Sequence, residues 1–166
     1  MIGAVAVTNA FLPLIEEGTL KKVINISSAV GDSEFVEKTG FIGAVAYGVS
    51  KAALNHVNTR YTVERRGQGY TFLAISPGFV ATRSGKSRFL QVPEELLVDA
   101  FLLVEDHLGT KPWNNLINMF KSGYPDWDGA ALQPRQSAEL VLNVIDKATP
   151  EDSGRSISQY GDKRWL

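Results

Sequence analysis

Cysteine is missing from all 166 residues, which removes disulfide frameworks, thiol nucleophiles and thiolate metal sites together. Histidine occurs only as His56 and His107. Neither has a carboxylate or a second histidine at ligand spacing, so the sequence offers no metal centre. An excess of one charge is also lacking. Seventeen Lys and Arg against eighteen Asp and Glu leave a net charge of −1, which points to neither nucleic acid nor an anionic membrane as partner. No stretch is long and apolar enough to span a bilayer. The apolar opening, Ile2 to Ile15, has no basic leader and runs into Glu16-Glu17-Gly18, so it reads as a buried amphipathic helix stopped by Gly18 and bent at Pro13. Internal repeats and low-complexity segments are absent. What is left, 44% hydrophobic and 21% charged, suits a single domain over residues 1–166 with a core of its own. The lack of cysteine fits a cytoplasmic setting.

The stretch that organises the chain is Ala46-Tyr47-Gly48-Val49-Ser50-Lys51-Ala52-Ala53-Leu54-Asn55. Read as a helix, it sets Tyr47 and Lys51 on one face, one turn apart. An ammonium beside a phenol favours the tyrosinate and brings an otherwise inert proton donor towards working pH. The pair alone is a weak signal, since a Tyr-x-x-x-Lys arises by chance about one time in four in a chain of this composition. Its bland reading is an exposed pair on a solvated helix. The surroundings strengthen it. Upstream lies the apolar run Val23–Ser28, a parallel strand by its two apolar faces. Ser28 closes that run, where a hydroxyl meets the crevice at a strand's carboxyl end. Ser27 competes with it, because a slip of one residue reverses the face.

Between strand and helix, Gly31 to Gly43 reads as a polar, glycine-punctuated loop. Thr39-Gly40-Phe41-Ile42-Gly43 is rejected as a phosphate loop, having no strand before it and no third glycine after it. The helix runs over Ala44–Arg66 and ends at Gly67-Gln68-Gly69. Tyr70–Ser76 is the second buried strand, turned out of the sheet by Pro77-Gly78. Arg83 to Arg88 is a cationic loop, either solvated or meeting a phosphate. Helices are expected over Pro93–His107, Pro112–Phe120 and Pro134–Ala148. The tail Ser153–Leu166 reads as a short strand, a turn and an anchoring Trp165.

Three blocks occur in order: Asn25-Ile26-Ser27-Ser28-Ala29-Val30-Gly31, then Tyr47-Gly48-Val49-Ser50-Lys51, then Ser76-Pro77-Gly78-Phe79-Val80-Ala81-Thr82. Together they resemble the short-chain dehydrogenase/reductase family, and the resemblance covers only the second half of a family member. The tail is similar to the carbonyl-reductase branch, which includes fungal ketoreductases. The resemblance implies an α/β fold, a partial Rossmann-like, doubly wound parallel sheet lacking the N-terminal cofactor-binding half. It implies an NAD(P)H-dependent oxidoreductase acting on a small-molecule carbonyl or alcohol. Tyr47 would be the general acid or base, and Lys51 would lower its pKa and hold the nicotinamide ribose. Ser28 would donate to the substrate oxygen, while Pro77, Gly78, Val80 and Thr82 would position the nicotinamide carboxamide. A homo-oligomer through residues 4–15 and 44–66 is also implied.

The departure from the family is large. No strand–glycine turn–helix unit is present to receive a pyrophosphate. The active-site asparagine and the residue that selects NAD or NADP are also missing. Three readings follow: an oxidoreductase seen in part, a truncated relative serving as a subunit or in cofactor-free chemistry, and an unrelated α/β binding module.

Overall fold

The computed structural model describes residues 2–81 and 112–166. The helix expected over Pro93–His107, the cationic run Arg83 to Arg88, and Thr82 lie outside the described residues. Three strands form one parallel sheet in the order β1 (Lys22–Ile26), β2 (Thr71–Ile75), β3 (Ser156–Ile157). The register pairs Lys22 with Thr71 and Ile26 with Ile75. Both expected strands are therefore parallel neighbours, each a residue or two shorter than its apolar run. β2 lies in the middle, and Phe72, Leu73, Ala74 and Ile75 are fully buried there. A central parallel strand is covered on both faces, which is why its sequence is apolar without alternation.

Successive β2 side chains divide between two layers of helix. Phe72 faces α1 (Ile2–Glu17) and α3 (Val45–Glu64), packing with Leu12, Tyr61 and Tyr70. Leu73 and Ile75 face α5 (Pro134–Lys147), packing with Val141, Val144 and Ala148. The result is the three-layer α/β arrangement of a Rossmann-type sheet. Only one stripe of α1 is covered; Thr8 and Leu12 are buried while Val7, Phe11 and Leu14 are exposed. Among the described residues, no helix is long and apolar enough to cross a membrane.

The expected loop over Gly31–Gly43 is the main correction. It contains a 3-10 turn (Ala29–Gly31) and a helix, α2 (Ser33–Thr39). Asp32 caps α2, accepting from the Phe35 amide at 3.2 Å, and Gly40 ends it at φ +66°. Phe35, 1% exposed, anchors this segment in an aromatic cluster with Phe41, Phe120 of α4 (Pro112–Gly123) and Trp165. The Thr39-to-Gly43 stretch is thus a helix end, which accounts for its glycines. Burial, with the nearby Glu34 and Asp32 carboxylates adding to it, pushes the Tyr124 phenol at the edge of this cluster up to about 12.

The tail closes on the same cluster. Trp165 is 1% exposed, and Lys163 pairs with Asp32 at 2.5 Å. Its approach is fixed by a capping box, in which the Thr149 amide donates to Asp152 Oδ2 at 3.1 Å. Arg155 donates to Asp152 Oδ1 at 2.6 Å. The Thr149 amide first, then the Arg155 guanidinium, hold the Asp152 carboxyl below its ordinary value against an opposing effect of burial. A carboxyl lowered on folding stabilises fully above the unfolded value of about 4 and loses that contribution as pH falls through the folded one. Asp152→Asn is expected to flatten the acid limb of the stability curve, with little change in its slope near neutrality. Urea midpoints measured across the acid range check this.

Candidate active site

The end of β1 meets the first turns of α3 at backbone distance. A Cβ on Gly31 would lie 2.7 Å from Lys51 Cβ and 2.8 Å from the Ala52 nitrogen. One on Gly48 would lie 3.0 Å from the Val30 carbonyl oxygen. Gly31 has no room for a side chain and Gly48 very little, so the strand end and the helix are seated directly on one another. Polar pairs secure the seat. Ser27 Oγ donates to Asn55 Oδ1 at 2.6 Å, and Asn55 Nδ2 donates to the Gly31 carbonyl at 3.2 Å. One turn further along α3, Asn58 Oδ1 accepts from Asn25 Nδ2 at 3.1 Å.

This junction sets the two hydroxyls apart. Ser27 is buried, 3% exposed, and committed to Asn55. Ser28 is half-buried in extended backbone at the start of the 3-10 turn. Its oxygen accepts weakly from the Val30 amide at 3.4 Å, and its O–H has no partner among the described residues. Lys51 Nζ donates to the Ile26 carbonyl at 2.8 Å and stands 5.5 Å from the centroid of the Tyr47 ring. Tyr47 is 48% exposed. Tyr47, Lys51 and Ser28 thus occupy adjoining segments of one junction.

The chain leaving β2 forms a second wall. The Pro77 carbonyl accepts from Ser137 Oγ at 2.7 Å. Gly78 turns at φ +84°, with Gln159 so close behind it that a Cβ would lie 2.7 Å from Nε2. Beyond it, Leu132 bridges two neighbours of Val80. The Leu132 amide donates to the Phe79 carbonyl at 2.8 Å, and the Ala81 amide donates to the Leu132 carbonyl at 2.9 Å. In such a parallel bridge the intervening residue points its own groups the other way. The Val80 N–H and C=O accordingly face away from Leu132, unbonded among the described residues. One donor beside one acceptor matches a planar carboxamide.

Sequence reading passed over several residues of this region. Asn55 had a signal, since it follows Lys51 by four positions and shares its face. Leu132, Ser137 and Gln159 had none, because each meets its partner only through the tertiary fold.

The family model for short chain dehydrogenase matches residues 1–92 of the 166. The chain belongs to the short-chain dehydrogenase family. Similar members include a short-chain dehydrogenase/reductase of Arthrinium sp, 36% identical over 100% of this chain and 55% of its own length. A short chain dehydrogenase of Hypocrea virens is 29% identical over the same shares. The fold is similar to that of NADPH-bound carbonyl reductase from chicken fatty liver, with a TM-score of 0.66 at 22% identity. That likeness covers 98% of this chain and 52% of the other. The carbonyl reductase Sniffer of D. melanogaster gives 0.63 at 18% identity over the same shares. The chain spans about half the length of the curated relatives it matches. Membership excludes an unrelated α/β binding module.

The two serines of the junction separate by experiment. Ser27→Ala removes the buried hydroxyl that holds the half-buried Asn55 oxygen and is expected to cost about 0.5–1.5 kcal/mol of stability. Ser28→Ala removes only a long cap contact and is expected to stay within about 0.5 kcal/mol of the parent. Urea unfolding of both variants provides the comparison.

Proposed function

We propose that the chain carries the catalytic and nicotinamide-facing part of an NAD(P)H-dependent oxidoreductase. It reduces a small-molecule carbonyl or oxidises the corresponding alcohol. The observation that carries this reading is the Tyr47–Lys51 pair at the end of β1, beside a Ser28 hydroxyl whose proton has no partner among the described residues. The nicotinamide supplies the hydride when bound. Tyr47 gives its proton to the carbonyl oxygen, or takes it in the reverse direction. Lys51 supports the tyrosinate, and its remaining N–H donors suit the ribose hydroxyls. Ser28 donates to the substrate oxygen as negative charge develops there. The Pro77-Gly78 turn and the open Val80 amide and carbonyl fit the carboxamide. Thr82, outside the described residues, joins them through the family resemblance alone.

Exposed Val7, Phe11 and Leu14 of α1 and Val45, Val49 and Val63 of α3 support a homo-oligomer through residues 4–15 and 44–66. The cysteine-free composition supports a cytoplasmic location.

A second reading, a relative without redox activity acting as a subunit or in cofactor-free chemistry, is favoured by one observation. The sequence holds no glycine-rich strand–turn–helix unit, so pyrophosphate and adenosine have no amide cradle here and most of the cofactor's binding energy is absent. The 166-residue chain alone is therefore expected to show no saturable binding of NADH or NADPH at micromolar concentration, and no carbonyl reduction. Calorimetric titration with both cofactors tests this, and tight stoichiometric binding would show that no further cradle is needed. The two readings separate in a fusion in which the unmatched part of the Arthrinium relative precedes this chain. Carbonyl reduction that falls at least 100-fold in Tyr47→Phe, within the range of about 10²–10⁴ typical of a lost general acid, supports the oxidoreductase. Cofactor binding without reduction of any carbonyl in a broad panel supports the non-redox relative.

A further inference from the structure

The chain leaving β3 passes from the Val80 wall to the strand-end junction within a few residues. The β2–β3 ladder ends where the Ser76 amide donates to the Ile157 carbonyl at 2.8 Å. A tight turn follows. The Gly161 amide donates to the Ser158 carbonyl at 3.0 Å, and the Ser158 amide donates to the Asp162 carbonyl at 2.7 Å. Asp162 braces the turn with its side chain. Its Oδ1 accepts from Ser158 Oγ at 3.3 Å and from the Arg164 amide at 2.8 Å, and its Oδ2 accepts from Arg164 Nε at 2.6 Å. A segment bonded to itself in this way is stiff and moves as one piece.

Its first end lies under the Pro77-Gly78 turn. Gln159 is 1% exposed. A Cβ on Gly78 would stand 2.7, 2.8 and 3.0 Å from its Nε2, Cδ and Oε1. Three nearly equal distances across a planar group put the carboxamide face-on beneath the Gly78 α-carbon. Nε2 and Oε1 have no partner among the described residues, so the contact acts through shape. The other end holds the junction. Lys163 Nζ donates to Asp32 Oδ2 at 2.5 Å, and Trp165 packs with Phe35. Asp32 follows Gly31, the residue seated on α3, and caps α2 through the Phe35 amide.

We infer that residues 158–165 form a clasp that couples the two walls of the site and holds them at one separation. Gln159 and Lys163 are its positioning residues, the first acting through Gly78 and the second through Asp32. That these walls face nicotinamide and substrate rests on the function proposed above, whereas the coupling belongs to this chain without either. Releasing one end of a stiff clasp loosens the opposite wall as well. Two independent anchors would each loosen only their own.

Amide hydrogen exchange of the 166-residue chain, with no cofactor or substrate added, tests this. Lys163→Met removes the charge and keeps an apolar stem. It is expected to speed exchange of the Gly31 and Asp32 amides, which donate to the Ser28 and Ala29 carbonyls, by about tenfold. The Leu132 and Ala81 amides of the opposite wall, bonded to the Phe79 and Leu132 carbonyls, are expected to speed up by about threefold. Gln159→Ala is expected to give the mirror image, with the larger effect at Leu132 and Ala81. Lys163→Arg restores the ion pair and Gln159→Met restores the bulk under Gly78, so both are expected to keep the parent rates. The Thr71 and Ala148 amides, which donate to the Lys21 and Val144 carbonyls away from the clasp, are expected to hold their rates in all four variants. Should Gln159→Ala not fold, Lys163→Met carries the cross-wall comparison by itself. Acceleration confined to the wall nearer the substitution would overturn the inference. So would equal acceleration at Thr71 and Ala148, the mark of a general loss of stability, or a Gln159→Met variant as loose as Gln159→Ala. Because no cofactor takes part, each of these outcomes leaves the oxidoreductase reading where it stands.

Discussion

The end of β1 can lie on α3 only because Gly31 and Gly48 have no side chains. A methyl group on Gly31 would stand 2.7–2.8 Å from three atoms of Lys51 and Ala52, two of which are helix backbone and cannot swing aside. Every other feature of the site follows from this close seat. It brings Ser27 within reach of Asn55 and leaves Ser28 at the mouth of the junction. It also brings the Lys51 stem near enough for its ammonium to reach the Ile26 carbonyl. Moving the helix outward by one methyl diameter would dissolve the constellation while leaving each of its residues in place along the chain.

The seat also explains a polar layer inside an otherwise apolar sheet–helix interface. Asn58 is fully buried and Asn25 half-buried, and they bond to each other, while Ser27 and Asn55 do so one turn closer to Tyr47. Such pairs contribute little net stability, but each leaves a costly orphan if the helix slides by a residue. They therefore fix register along α3, where the apolar contacts alone would permit slippage. The Tyr47–Lys51 pair, spaced by one helical turn, gains most from that restraint, because its alignment with the strand end depends on rotation about the helix axis.

How much of this was readable in the chain depended on the range of the interaction. The strands at Val23–Ser28 and Tyr70–Ser76 were legible because burial on both faces leaves an unbroken apolar run. α3 was legible from its length. α2 was not, because seven residues give too few apolar positions to show a period. Its stop and start signals, Gly40 and Asp32, looked like loop punctuation without it. Tyr47, Lys51 and Ser28 were legible from local spacing together with the three-block resemblance. Ser27 and Ser28 compete along the chain because one residue of slip reverses a strand face, and only the tertiary fold shows Ser27 bonded to Asn55. Leu132 and Gln159, which brace the Val80 and Gly78 segment, come from some fifty and eighty positions away and carry no mark of that duty in their neighbours.

The ion pair between Asp32 and Lys163 joins residues 131 positions apart, and Trp165 meets Phe35 over a similar span. Contacts of that separation are the last a growing chain can make, since loop closure must precede any gain from them. During synthesis, β1, α3 and β2 can assemble as soon as residue 75 has emerged. The aromatic layer beneath α2 has to wait for the final residues. Until then Phe35, Phe41 and Phe120 lack the Trp165 indole, and the α2 segment beside the Tyr47 junction stays open to chaperones and proteases. Docking of Trp165 onto this cluster is therefore also the step that fixes this side of the junction.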